Sequence, residues 1–146
     1  MIRNRHNYFA LGAFMLGTAV ILGAFGAHGL EKKISTHYLG TWKTASEYLV
    51  YNALGLMAFA SYKSSHKQIV DGVVKHRDNL DLRISIFAII LGAFIFSISL
   101  YLVSLNQLIG EKFKSMGMVA PLGGSLMTLG WIGVGNHFLT HKKQKK

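Results

Sequence analysis

Four long apolar runs dominate the chain: Tyr8 to Leu30, Trp42 to Tyr62, Ile84 to Leu105 and Met118 to Leu139. A helix needs roughly 20 mostly apolar residues, rising about 1.5 Å each, to cross a hydrocarbon layer ~30 Å thick. Each run meets that length. In the first, His28 is the only ionisable group; in the second, Lys43 and Glu47 fall in the opening turns. The third carries no formal charge, and the fourth has Asn136 and His137 close to its end. The reading is an all-α integral membrane protein, with spans at about 8–30, 42–62, 84–105 and 118–139. A charged loop at 63–83 and a basic tail at 140–146 complete a single membrane domain, 1–146.

Composition narrows the class further. Of the 146 residues, 51% are hydrophobic and 15% charged, against roughly 25% charged in a soluble domain. That argues against a soluble enzyme, and equally against disorder, which requires low hydrophobicity and high charge. There is no cysteine, so disulfides, thiolate metal sites and cysteine nucleophiles are excluded. The formal net charge is +10, which fits either nucleic acid or anionic lipid. Because the basic residues flank apolar runs, lipid headgroups are the expected partners and nucleic acid is not. Arg3 and Arg5 before the first run imitate a signal peptide. The run exceeds the 7–15 residues of such a segment, so a retained helix is expected.

The basic residues also set an orientation. Arg3, Arg5, Lys63, Lys67, Lys75, Arg77, Arg83, Lys142, Lys143, Lys145 and Lys146 lie on one side of the predicted spans. Lys32, Lys33, Lys43, Lys112 and Lys114 lie on the other. The excess of cationic residues in cytoplasmic segments places both termini and the 63–83 loop inside. Glu31–Thr41 is then external, with Ile34, Tyr38 and Leu39 predicting a short interfacial helix.

Within lipid, helices associate through small residues that allow close approach. The first span offers Gly12, Ala19, Gly23 and Gly26; the third offers Ser85, Ala88, Gly92 and Ser99. The fourth offers Ala120, Gly124, Thr128 and Gly135, interleaved with Gly123 and Gly130. The second carries a polar stripe of Thr44, Tyr48, Tyr51, Asn52 and Gly55 at helical spacing. The simplest arrangement is an antiparallel four-helix bundle. Gly-Ala-Phe recurs at Gly12, Gly23 and Gly92, an echo attributed to the small vocabulary of membrane helices rather than to duplication. Pro121 falls in the first turn of the fourth span, where its missing N–H is harmless.

Several strings carry a family resemblance. Gly23-Ala-Phe-Gly-Ala-His-Gly-Leu30 closes the first span, and Trp42-Lys-Thr-Ala45 with Tyr48 opens the second. Phe96-Ser-Ile-Ser-Leu-Tyr101 lies in the third; Ala120-Pro-Leu-Gly-Gly124 and Leu129-Gly-Trp131 mark the fourth. In this order they resemble the YgdD-like and YwdK-like small membrane proteins, domain-of-unknown-function family 423. The resemblance implies a four-span protein of the bacterial cytoplasmic (inner) membrane and brings no established activity. This chain departs from the family pattern at Asn52, where a histidine is common, at Ile98, where glycine is common, and in a longer loop around 69–81.

His28 is the leading candidate site, since ionisable groups within spans are costly and point to function. Glu31 and Glu47 are its possible partners for a headgroup, a cation or a proton. The plainer alternative is an interfacial histidine holding a glycine-rich turn. Tyr48, Tyr51, Asn52, Ser97, Ser99, Tyr101 and Thr128 could line a polar solute path, or simply hydrogen-bond between helices. His137 and His141 are four apart but lack a third metal ligand, so no metal and no cofactor is expected. Ser125 with His28 is too sparse a set for a serine hydrolase. The expected function is therefore non-enzymatic: bilayer-structural, lipid-binding or accessory to a membrane complex. The alternative is a carrier or channel for a small solute or ion acting near His28 and Asn52. Anionic lipids at the cytoplasmic face, a second copy or a membrane-complex subunit are the expected partners.

Overall fold

The structure, a computed structural model, describes residues 3–65, 69–70, 73–74, 80–110 and 112–142. Helix α1, Arg3–Ala24, runs into a π-helical turn, Phe25–Leu30, and is followed by α2, Thr36–Ser65. Two-residue strands β1, Ile69–Val70, and β2, Val73–Val74, pair antiparallel, with Ile69 opposite Val74. Then come α3, Leu80–Ser104, the short α4, Asn106–Ile109, a 3-10 turn, Lys114–Met118, and α5, Ala120–Lys142. Pro121 sits in the first turn of α5, where expected. Of the predicted loop and tail charges, Lys67, Asp71, Lys75, Arg77, Asp78, Lys143, Lys145 and Lys146 lie outside the described residues, as do His66 and His76.

Among the described residues, three segments are long and apolar enough to cross a membrane: His6–Leu30, Leu80–Ser104 and Lys114–Thr140. Their outward surfaces are correspondingly greasy: Phe14 is 76% exposed, Ile21 70%, Phe87 64% and Leu129 65%. A water-soluble surface rarely gathers such side chains. Helix α2 is different. Its 30 residues extend for about 45 Å, yet it is not apolar enough to join that set. The packing supplies the reason, because α1 lies against α2, α2 against α3, and α3 against α5. With neighbours on two sides, α2 turns much of its surface to protein and carries polar residues that a lipid-facing helix would not.

Close approach depends on particular glycines. In the α3–α5 seam, the most extensive among the described residues, a Cβ on Gly92 would fall 2.7 Å from both the Gly123 carbonyl oxygen and the Met127 nitrogen. One on Gly123 would fall 2.5 Å from the Phe96 nitrogen, and one on Gly130 2.7 Å from the Ser85 carbonyl oxygen. The seam of α5 thus follows Ala120, Gly123, Met127, Gly130 and Val134, all buried, at alternating three- and four-residue steps. The four-spaced series through Gly124, Thr128 and Gly135 is not the seam. Gly135 has open space beside it, and Gly124 only ordinary contact with the Phe96 ring. Gly12 admits α2, with Met57 and the Ala53 carbonyl where its side chain would be. Gly23, expected to pack, faces open space instead, because the buried side of α1 passes through Gly12, Met15, Ala19 and Gly26.

The expected interfacial helix is also corrected. Thr36–Thr41 forms the opening turns of α2 itself. The apolar residues of this stretch fold inward: Leu30, Ile34 and Trp42 form a buried cluster supported by Leu22, Tyr38, Leu39, Tyr101 and Leu105. The Ser35 amide donates to the Gln107 Oε1 at 2.6 Å. Buried Asn106 organises the next connection, accepting from the Phe113 amide at 2.8 Å through Oδ1. Gly110, at φ 71°, turns the chain after α4, a conformation that side chains rarely adopt.

Candidate functional site

Asn52 is the centre of the polar interior. It is 5% exposed and lies on the side of α2 that meets α5. Its Nδ2 donates to the Tyr48 carbonyl at 2.8 Å and to the Met127 Sδ at 3.1 Å. Its Oδ1 accepts from the Trp131 indole N–H at 3.0 Å. The indole packs against Gly55, where a Cβ would sit 2.5 Å from the ring. Both ends of the amide are therefore engaged, which a buried amide requires. The other inner polar residues follow the same rule. The Ser97 hydroxyl donates to the Ala45 carbonyl across the α2–α3 seam at 3.0 Å. Ser46 and Tyr101 share a hydroxyl–hydroxyl bond of 3.0 Å. Ser99 and Thr128 bond to carbonyls of their own helices.

Beside Asn52 a cleft of about 440 Å³ opens between α2, α3 and α5, lined by Tyr48, Tyr51, Asn52, Phe96, Gly124, Met127, Thr128 and Trp131. The Tyr48 ring packs against Phe96 at a tilt of 46° with centroids 4.8 Å apart, and edge-to-face against Tyr51 at 5.9 Å. The structure thus brings Tyr48, Tyr51, Asn52 and Thr128 to one place. Ser97 and Tyr101 lie in the helix seam and do not line the cleft. Sequence reading missed Phe96, Met127 and Trp131 as cleft residues. Trp131 pairs with a residue 79 positions away, a juxtaposition that no local spacing encodes.

His28 stands apart. It is exposed on the π-helical turn, and among the described residues no ion pair joins it to Glu31 or Glu47. Glu47 lies 3.8 Å from Lys43 instead, the partner one helical turn away. The glycine-rich string around His28 has a packing role: a Cβ on Gly26 would collide with the Trp42 ring at 2.5 Å. The Trp42 indole N–H then reaches the Leu22 carbonyl at 2.7 Å, and the ring packs on Tyr101 at 4.5 Å. Trp42 thereby ties α1, α2 and α3 together at one end. No group of three or more potential metal ligands occurs among the described residues.

Comparison with known proteins places this architecture. The family model described as "Protein of unknown function (DUF423)" matches residues 22–124. A UPF0382 membrane protein of Staphylococcus aureus (strain bovine RF122) is 36% identical over 125 residues, covering 86% of this chain and 88% of the relative. The UPF0382 membrane protein YwdK of Bacillus subtilis (strain 168) is 39% identical over the same length, covering 86% and 89%. One from Staphylococcus epidermidis (strain ATCC 12228) is 33% identical, covering 86% and 88%. No solved structure matches.

Proposed function

The chain belongs to the DUF423 family, and we propose that it is a non-enzymatic, multi-pass protein of the bacterial cytoplasmic membrane that binds lipid and acts through its packing in the bilayer. In this reading all four long helices cross the membrane as an antiparallel bundle with both termini in the cytoplasm. The excess of basic residues on the side of the termini supports that orientation. It also provides the surface for anionic headgroups, each lysine near the membrane contributing about 1 kcal/mol.

One observation carries the reading: the inner polar groups tie helices to one another. Asn52, Trp131, Ser97, Ser46 and Tyr101 are joined across helix boundaries. A solute path needs polar groups left free to replace the solute's hydration shell, whereas these hold helices in register. Native mass spectrometry of the full chain, released with its surrounding lipid, tests the reading. Retained anionic lipid is the expected result. A discrete water-soluble mass, lost on Asn52 or His28 substitution, would replace this reading with that of a carrier. The orientation is tested separately with cysteines introduced at Ser35 and Ser65 of this cysteine-free chain. An impermeant thiol reagent should label the first and not the second.

A further inference from the structure

We propose that the cleft beside Asn52 is a binding site for an isoprenoid quinone, entered from within the bilayer; this rests on the membrane-spanning reading above. Three features lead to that ligand class. The first is an unanswered pair of donors. Among the described residues, the Tyr48 and Tyr51 hydroxyls make no hydrogen bond, although the cleft they line is otherwise satisfied. Asn52 is engaged at both ends, and Thr128 is turned onto the Gly124 carbonyl. Phenolic O–H groups held in hydrocarbon are costly unless an acceptor reaches them. The missing partner is an acceptor on an apolar molecule.

The second feature is depth. Trp131 is the twelfth of the 23 residues of α5, about 16 Å from either end of the helix. Tyr48, Tyr51 and Asn52 lie near the middle of α2, and Met127, Thr128 and Trp131 near the middle of α5, so the cleft sits at mid-height of these helices. The ester carbonyls of phospholipids sit at the edges of a ~30 Å hydrocarbon layer, roughly 15 Å from its middle. They are out of reach, and only their acyl chains, which accept no hydrogen bond, pass this level. A quinone carries its carbonyl acceptors on a ring that is itself soluble in the hydrocarbon.

The third feature is shape. Tyr48, Phe96 and Trp131 present aromatic side chains around about 440 Å³, with Met127 also in the lining. Flat conjugated rings stack on such walls, and sulfur adds a polarisable contact. The volume falls in the range of small-ligand pockets, about 300–1,000 Å³. In the proposed complex the two carbonyl oxygens of the ring accept from Tyr48 and Tyr51, and the isoprenoid tail leaves the cleft into the bilayer.

The test uses the full chain in lipid nanodiscs, with decylubiquinone as the probe and Trp131 emission as the signal. A Trp42→Phe background leaves Trp131 as the sole tryptophan, and native mass spectrometry of the unsubstituted chain counts bound quinone independently. The expected result is saturable quenching with one quinone per chain. Tyr48→Phe and Tyr51→Phe remove only the hydroxyls, and each should weaken binding about fivefold, the share of one hydrogen bond. Gly124→Leu, which fills the cleft beside Phe96, should abolish it. Quenching that rises linearly with quinone and is equal in all variants would overturn the site. So would retained phospholipid that Gly124→Leu displaces, which would make an acyl chain the occupant. Neither outcome changes the thiol labelling at Ser35 and Ser65, so failure of the quinone site remains distinct from failure of the spanning arrangement.

Discussion

Two adjacent glycines should respond in opposite ways to the same substitution. A methyl group on Gly123 would lie 2.5 Å from the Phe96 nitrogen, 2.9 Å from the Phe96 Cα and 2.8 Å from the Gly92 carbonyl oxygen. All three are backbone atoms of α3, so no rotamer change relieves the contact. Comfortable separation for such pairs is about 3.5 Å, so α3 and α5 must part by roughly 1 Å. A radial gap of that size forfeits up to about half of the dispersion energy along the seam, and overpacking of this kind costs about 1–3 kcal/mol. Gly123→Ala should therefore destabilise the fold by about 2 kcal/mol, a roughly 30-fold fall in the folded-to-unfolded ratio. On Gly124 the same methyl meets only the edge of the Phe96 ring, at 3.8 and 3.9 Å, which is ordinary contact. Gly124→Ala should be neutral or slightly stabilising through helix propensity. The assay is equilibrium unfolding of the full chain in mild detergent titrated with a denaturing one, followed by helical circular dichroism. Equal losses in the two variants would refute the seam as drawn.

Other consequences are open to the same treatment. Gly26→Ala should disturb the π-helical turn by displacing the Trp42 ring, whereas Gly23→Ala, facing open space, should not; hydrogen exchange at residues 25–30 separates the two. Trp42→Phe removes the donor to Leu22 and should cost about 1 kcal/mol, read from the same unfolding titration. Asn106→Ala leaves the Phe113 amide without its acceptor, so exchange at Phe113 should accelerate while the long helices keep their protection.

The helices were legible because their signal is local. Apolar runs of membrane-crossing length predict them, and helix boundaries follow within a few residues. The second run was the exception in both directions. It reads as less apolar than its neighbours because Ser46, Asn52 and the tyrosines face or flank other helices, which composition alone does not reveal. Its true start at Thr36 was hidden because Ile34, Tyr38 and Leu39 fold into the Leu30–Trp42 cluster rather than onto a headgroup surface. Among glycines, spacing by four selected Gly124 in α5, whereas the three-and-four alternation of Gly123, Met127 and Gly130 forms the contact. A sequence full of small residues offers several such stripes, and only the partner helix chooses between them. The site was legible in part. Tyr48, Tyr51 and Asn52 stand out as polar residues in an apolar run, but Trp131 and Phe96 look like ordinary membrane aromatics until α5 and α3 bring them to Asn52. His28 drew attention as the ionisable residue of its run, and the fold places it on an exposed turn.

The claim that the inner polar residues bind helices to one another is tested most directly by a double-mutant cycle on Asn52 and Trp131, using Asn52→Ala and Trp131→Phe. Interhelical hydrogen bonds in lipid contribute about 0.6 kcal/mol on average and up to about 1.7. The account predicts that the two losses fall short of additivity by about that amount in the detergent unfolding titration. Strict additivity would contradict it, because the amide and the indole would then be acting independently of each other.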